Sequence, residues 1–346
     1  MLRLLTMKKI LLGIVVAVVL LGGAAAAWIQ YRANVASSQP RIYHIGILSR
    51  GRGSYEVAIK GFQNRLREFG YVEGHNITYD VRYLSTTDEL NSAAQDFVKT
   101  HVDLISTYST PATQAAYRAT QQMQNPIPVV FASMADAVAA GVVKSIEQPD
   151  TNVTGVISLA PELTAKRIEL LLRIAPHIKK IAMPRTAEEL NDIAANKSVA
   201  VAQQAAKEAG VELVLFPVYT SAENASTSAK IVAKRVQGLI VGGDSLVWSG
   251  LDSYISQAIK EKIPFGAFDT DQVKRGALIG FGPDYTVSGQ QAAIISHQIL
   301  QGKKPGDIPV ETPNKLLLTI NLDTARLIGI TPDPELLKEA DVVIGK

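Results

Sequence analysis

Residues 102–111 read Val-Asp-Leu-Ile-Ser-Thr-Tyr-Ser-Thr-Pro, and this decamer holds a whole strand-to-helix junction. Asp103 to Thr107 carries aliphatic and β-branched residues and reads as a strand. Ser109 or Thr110 then stands where an N-cap belongs. Pro111 takes the first helical position, where its missing N–H costs nothing. A strand that runs straight into a capped helix is the repeating unit of a parallel sheet covered by helices.

The same unit recurs on both sides. Upstream, Ile42 to Leu48 and Asn76 to Tyr83 read as strands. Tyr55 to Phe69 reads as a helix with Ala58, Phe62, Leu66 and Phe69 on one face and Gly70 as its cap, and Glu89 to Lys99 as another. Downstream, Pro128 to Ala132 and Asn152 to Ser158 are strands, with a helix from Ala137 to Ile146 between them. A second series follows. Its strands are Lys180 to Met183, Val211 to Phe216, Gly238 to Val241, Pro264 to Phe268, Ala277 to Gly282 and Lys315 to Asn321. Its helices are Pro161 to Ala175, Lys197 to Ala209, Ala222 to Lys234, Leu251 to Lys260, Tyr285 to Leu300 and Leu322 to Ile328. Ten or more strands strain the limit of one open sheet. The expected architecture is therefore α/β with two Rossmann-like lobes, each built on a parallel sheet of four or five strands. Open sheets of this kind bind ligands at the carboxyl ends of their strands, here in a cleft between lobes.

Ahead of the first strand lies an apolar run from Ile10 to Ile29, preceded by Arg3, Lys8 and Lys9. Its first part has the length of a signal-peptide core, and Ala24 to Ala27 offers a small-residue cleavage site. Left uncut, the run forms an apolar N-terminal helix of about 20 residues, long enough to anchor the chain in a membrane. Either outcome places the remainder outside the cytoplasm. Residues 30–41 read as a linker.

Without Arg3, Lys8 and Lys9, the 35 Lys+Arg fall to 32, equal to the 32 Asp+Glu. A formally neutral folded part argues against a nucleic-acid partner. The absence of cysteine rules out disulfides and a lipid-modified cysteine, so stability rests on core burial. Five scattered histidines form no metal-ligand pattern. No nucleophile elbow, phosphate-binding loop or zinc-protease motif is present. Gly51-Arg52-Gly53 lacks the third glycine of a dinucleotide fingerprint. The reading is a binding protein without cofactor or metal, not an enzyme.

Binding chemistry gathers at the strand ends. Tyr108, Ser109 and Thr110 open a helix whose unpaired N–H groups suit a carboxylate. One hydroxyl there is needed only as a cap. Asp136 follows the next strand and either receives an ammonium or caps a helix. Arg185, Asp244 and Asp269 occupy the corresponding ends of the second series. Trp248 either stacks on a ligand or packs its own helix, and Arg50 and Tyr55 lie in the loop after the first strand. The set suits a zwitterion or other small polar solute.

Gly70 to Ile77 reads Gly-Tyr-Val-Glu-Gly-His-Asn-Ile. Further on come Val102-Asp103-Leu104-Ile105, Thr110-Pro111-Ala112, Ile127 to Phe131 and Asn152-Val153-Thr154-Gly155. Gly282-Pro283-Asp284-Tyr285, Gly289 to Ala293, Gly302 to Glu311 and Ile320-Asn321-Leu322 complete the series. In this order they resemble the ABC-transporter solute-binding proteins of the tryptophan and aromatic amino-acid type. The resemblance covers nearly all of the chain after residue 42. It implies a periplasmic-binding-protein type 1 fold, with crossovers near Ser158, Gly282 and Pro313. Lobe 1 would then hold 42–157 and 283–312, and lobe 2 would hold 158–282 and 313–346. It also implies capture of a small solute, often an amino acid, by closure of the lobes. Delivery would be to a permease with a separate ATPase, and the matching ligand-side positions are Ser109, Thr110 and Asp136. The chain departs from the family at Ser49 to Tyr55, at Asp136-Ala137 and at Met183-Pro184-Arg185. Two arginines near the mouth leave a more acidic ligand or a solvated rim as open readings. The competing function is a membrane-tethered sensing domain of the same fold that signals through a partner.

Overall fold

The computed structural model describes residues 28, 41–124 and 126–345. The apolar run and the linker lie outside the described residues, apart from Trp28 and Arg41. No helix among the described residues is long and apolar enough to cross a membrane.

The first half begins β1 (Tyr43–Arg50), α1 (Ser54–Glu68), β2 (Ile77–Leu84), α2 (Thr87–Lys99), β3 (Leu104–Tyr108) and α3 (Thr110–Thr120). Strands β4 (Val129–Met134) and β5 (Val153–Ile157) complete a five-stranded sheet of order β2-β1-β3-β4-β5. β1 pairs with β3 from Ile45 opposite Leu104 to Ser49 opposite Tyr108, so the loops after both strands emerge side by side. All five residues of β3 and all six of β4 are buried, as expected of a parallel sheet covered on both faces. Phe97, Ile105, Phe131 and Val153 sit in one continuous core cluster.

The chain then runs through α4 (Thr164–Ile174), β6 (Lys180–Thr186), α5 (Ile193–Glu208), β7 (Glu212–Val218), α6 (Asn224–Ala233) and β8 (Gly238–Ile240). It continues with α7 (Ser245–Trp248), α8 (Leu251–Lys260), β9 (Phe265–Ala267), α9 (Thr270–Lys274), β10 (Ile279–Pro283) and α10 (Tyr285–Leu300). The last elements are β11 (Leu316–Asn321), α11 (Leu322–Ile328), α12 (Pro334–Glu339) and β12 (Val342–Ile344). Their sheet has seven strands in the order β12-β11-β10-β9-β8-β6-β7. Neighbouring residues alternate between two cores: Ile181 and Ile240 join one cluster, Ala182 and Leu239 the other. That is the period of two expected where both faces of a sheet are covered.

Helix α10 follows a strand of the seven-stranded sheet, yet it lies against α1 of the first half. A Cβ on Gly61 would come within 2.4 Å of the Thr286 carbonyl oxygen, and one on Gly289 within 2.0 Å of that of Ala58. Glycine at both places lets the two backbones approach this closely.

Three expectations need correction. The second sheet has seven strands rather than four or five: all six strands read in the second series join it, and the tail adds β12 at the edge beside β11. Strand β11 runs antiparallel to β10. Ala137 to Ile146 is not a helix: Asp136 accepts from Ala139 N at 2.9 Å and starts a single turn, and Gly141, at φ 70, ends it.

Candidate functional site

Tyr55, Ser109, Thr110, Ser133, Asp192 and Trp248 line one cleft between the two sheets. Its free space is about 20 Å³, room for a single water. Ser109 caps α3, its Oγ accepting from Ala112 N at 3.3 Å. The residue is held at φ 113, ψ 155, a strained conformation for a side-chain-bearing residue, of the kind that gathers at binding sites. Thr110 Oγ1 accepts from Ala135 N at 3.2 Å and keeps its own proton to donate. Of the two expected hydroxyls, Ser109 is therefore the cap.

Aromatic rings close the cleft from both sides. Tyr55, at the start of α1, and Trp248, at the end of α7, have ring centroids 6.0 Å apart at 41°. Behind them Phe268 stacks on Trp248 at 4.8 Å and meets Tyr285 edge-on at 6.1 Å. Trp248 Nε1 donates to the Gly242 carbonyl at 2.8 Å, which fixes the indole. Tyr285 and Ser133 hydroxyls are 3.2 Å apart. Burial pushes the Tyr55 and Tyr285 phenols up, so both stay neutral.

Asp192 caps α5, accepting from Ala195 N at 2.9 Å. Burial, and then the charge of Asp244, push its carboxyl up to about 6, against the pull of the helix N–H groups and Arg50. Asp269 is also raised to about 6, by burial, although the Ser54 hydroxyl and Gln272 N–H stabilise its ionised form. Beneath the aromatic group lies Arg167, 1% exposed. It donates to the carbonyls of Phe281 and Val241, at 3.1 Å each, and of Ala160. Its guanidinium sits 4.6 Å over the Phe268 ring. Burial lowers its pKa to about 9.

The remaining expected residues fall elsewhere. Tyr108 is wholly buried, its hydroxyl accepting from Ser106 at 3.3 Å, and it does not line the cleft. Asp244 spends both oxygens on Thr186, Leu246 and Val247, which makes it a helix cap and strand-end clamp. Arg185 donates to the Thr186 carbonyl and to Asn196. Asp136 is paired with Lys197 at 2.8 Å, and Lys197 also meets Glu162 at 2.7 Å. Asp269 accepts from Ser54 at 2.6 Å and lines a neighbouring cavity of about 420 Å³. Arg50 lines a further cavity, beside Tyr55 and Trp248. Sequence reading missed Asp192, Phe268, Tyr285 and Arg167. For Asp192 a signal existed, since a carboxylate three residues before Ala195 marks a helix start.

Two open α/β sheets facing a cleft of hydroxyls, carboxylates and aromatic rings define a solute-binding protein of the periplasmic-binding-protein type 1 class. The chain belongs to the ABC transporter substrate binding protein family, whose model matches residues 50–344. It is 34% identical over 278 residues to the tyrosine-binding protein of Clostridioides difficile, covering 80% of this chain and 78% of the relative. A Streptococcus pneumonia ABC domain in complex with L-Trp superposes with a TM-score of 0.79 at 28% identity. That likeness covers 88% of this chain and all of the other. The ligand-free, open structure of a substrate binding protein with adhesive properties from Clostridium difficile gives 0.63 at 29% identity, with the same coverage.

Proposed function

We propose that this chain is the extracytoplasmic receptor of an importer and captures an aromatic amino acid by closing two lobes on it. The lobes are 42–157 with 283–312, and 158–282 with 313–346. The observation that carries this reading is the Tyr55–Trp248 pair, one ring from each sheet, 6.0 Å apart across the cleft. Separating the sheets opens a slot in which a flat ring stacks on both faces. The ligand's ammonium meets Asp192. Its carboxylate meets the free N–H groups at the start of α3 and the Thr110 hydroxyl. With room for one water in the cleft, entry requires opening, so binding and closure are one event.

The likeness to the L-Trp complex exceeds the likeness to the open form, 0.79 against 0.63, at nearly equal sequence identity. Sequence distance does not explain that difference, which supports a closed lobe arrangement. Membership of the family supports delivery to a membrane permease with a separate ATPase, and in this reading the N-terminal segment supplies export or an anchor. Calorimetric titration with L-tyrosine and L-tryptophan tests the reading. Saturable binding of either supports it, and no heat with both overturns it.

A further inference from the structure

A second cavity, of about 250 Å³, shares Tyr55, Ser245 and Trp248 with the cleft. Its charged lining is Arg50, Arg52 and Arg275, and the Asp271 carboxylate stands close by, its Oδ2 3.8 Å from where a Cβ on Gly53 would lie. Arg52 is held over the Tyr83 ring at 4.2 Å and pairs with Glu56 at 3.5 Å. Arg275 pairs with Asp252 at 2.6 Å, a partner 81% exposed. The side chain of Arg50, half-buried at the end of β1, makes no hydrogen bond or ion pair among the described residues, and its charge acts on Asp192 and Tyr55. The hydroxyls of Ser85 and Ser249 complete the polar wall. The two sides come from different sheets: a Cβ on Gly53 would lie 3.6 Å from Arg275 Nη1.

Three arginines line one space, and one of them makes no side-chain hydrogen bond or ion pair among the described residues, a set that suits a planar oxyanion. We propose that this cavity takes an acidic group, a carboxylate in the first instance, carried on the aromatic ring of the solute. The ligand class is then an aromatic amino acid with an anionic ring substituent: its ring lies between Tyr55 and Trp248 and its acid among the arginines. This rests on the aromatic slot proposed above. It goes beyond that reading by assigning the distal end of the ligand a charge.

The test is calorimetric titration of the full chain in mild detergent with three probes: L-phenylalanine, 4-carboxy-L-phenylalanine and its neutral isostere 4-carbamoyl-L-phenylalanine. The carboxylate should bind about tenfold or more tightly than the carbamoyl compound, the scale of one charge-assisted hydrogen bond. In Arg50→Gln that preference should fall to about threefold or less, and added salt should erode it in the unaltered protein. Equal affinity for the two substituted probes, with L-phenylalanine still bound, overturns the acidic subsite and leaves the aromatic slot standing. Loss of L-phenylalanine binding in Arg50→Gln, without any preference for the ring carboxylate, places the α-carboxylate among the arginines and overturns the proposal. Absence of binding by all three probes, and by L-tyrosine and L-tryptophan, removes the slot and the subsite together.

Discussion

The two walls of the cleft differ in chemistry. The wall from the five-stranded sheet offers hydroxyls and a cation: Ser109, Thr110, Ser133 and, at its margin, Arg50. The wall from the seven-stranded sheet offers the carboxyl of Asp192 and the Trp248 ring, above the buried guanidinium of Arg167. One side suits negative charge and the other positive, so the proposed zwitterion would be read by bringing them together. Neither sheet alone carries the complementary pair.

The largest expected effect lies beneath the acidic wall. Arg167→Leu leaves the carbonyls of Phe281, Val241 and Ala160 without their donor. At about 1–3 kcal/mol per orphaned group, the loss for three groups should reach about 3–9 kcal/mol. Denaturant unfolding measures it, and an unchanged midpoint would show that the wall stands without its support.

Next comes the ring that reaches across. Trp248→Ala removes one face of the slot, and affinity for L-tryptophan should fall about 10- to 100-fold, as at a buried aromatic hot spot. Calorimetry decides, and undiminished affinity would put the ligand elsewhere.

The carboxylate wall also predicts a pH dependence. Asp192 ionises near 6, and an ammonium needs it ionised. Binding should be full above about 6 and weaken about tenfold per unit as the pH falls below it. Asp192→Asn should flatten that slope, and an equal slope in both proteins would assign it to another group. The ligand-free fold moves the opposite way. Asp192 and Asp269 are raised from the ordinary 3.8, so their contribution to stability is fullest below that value. It is lost as the pH rises through about 6. The smallest effect belongs to the rim. Lys197→Met breaks the half-exposed pairs with Asp136 and Glu162 and should change affinity by no more than about threefold. A larger change would make the rim a true latch between the walls.

The alternation of strands and helices was legible because caps and apolar periods punctuate it. The helix Tyr285–Leu300 and the short helix Leu322–Ile328 have the bounds that reading gives them. The edge strand Val342–Ile344 was not, since three residues carry too little period to register. The antiparallel turn into β11 follows from how the chain returns, which local pattern does not encode. In the site, placement at a strand end was legible and side-chain direction was not. Strand β3 is buried on both faces, so no alternation marks Tyr108 as inward-facing. Both Asp192 and Asp244 cap their own helices, and whether such an aspartate also lines a cavity, as Asp192 does, depends on neighbours distant in the chain.

The seating of α10 on α1 has a kinetic consequence. The five-stranded half receives this helix only after more than one hundred intervening residues, which contribute five strands to another sheet. In a polypeptide made from its amino end, that half waits with an uncovered apolar face until residue 300 is out. Contacts of such long sequence separation fold slowly, and the interval is when this chain is most open to aggregation and to chaperones.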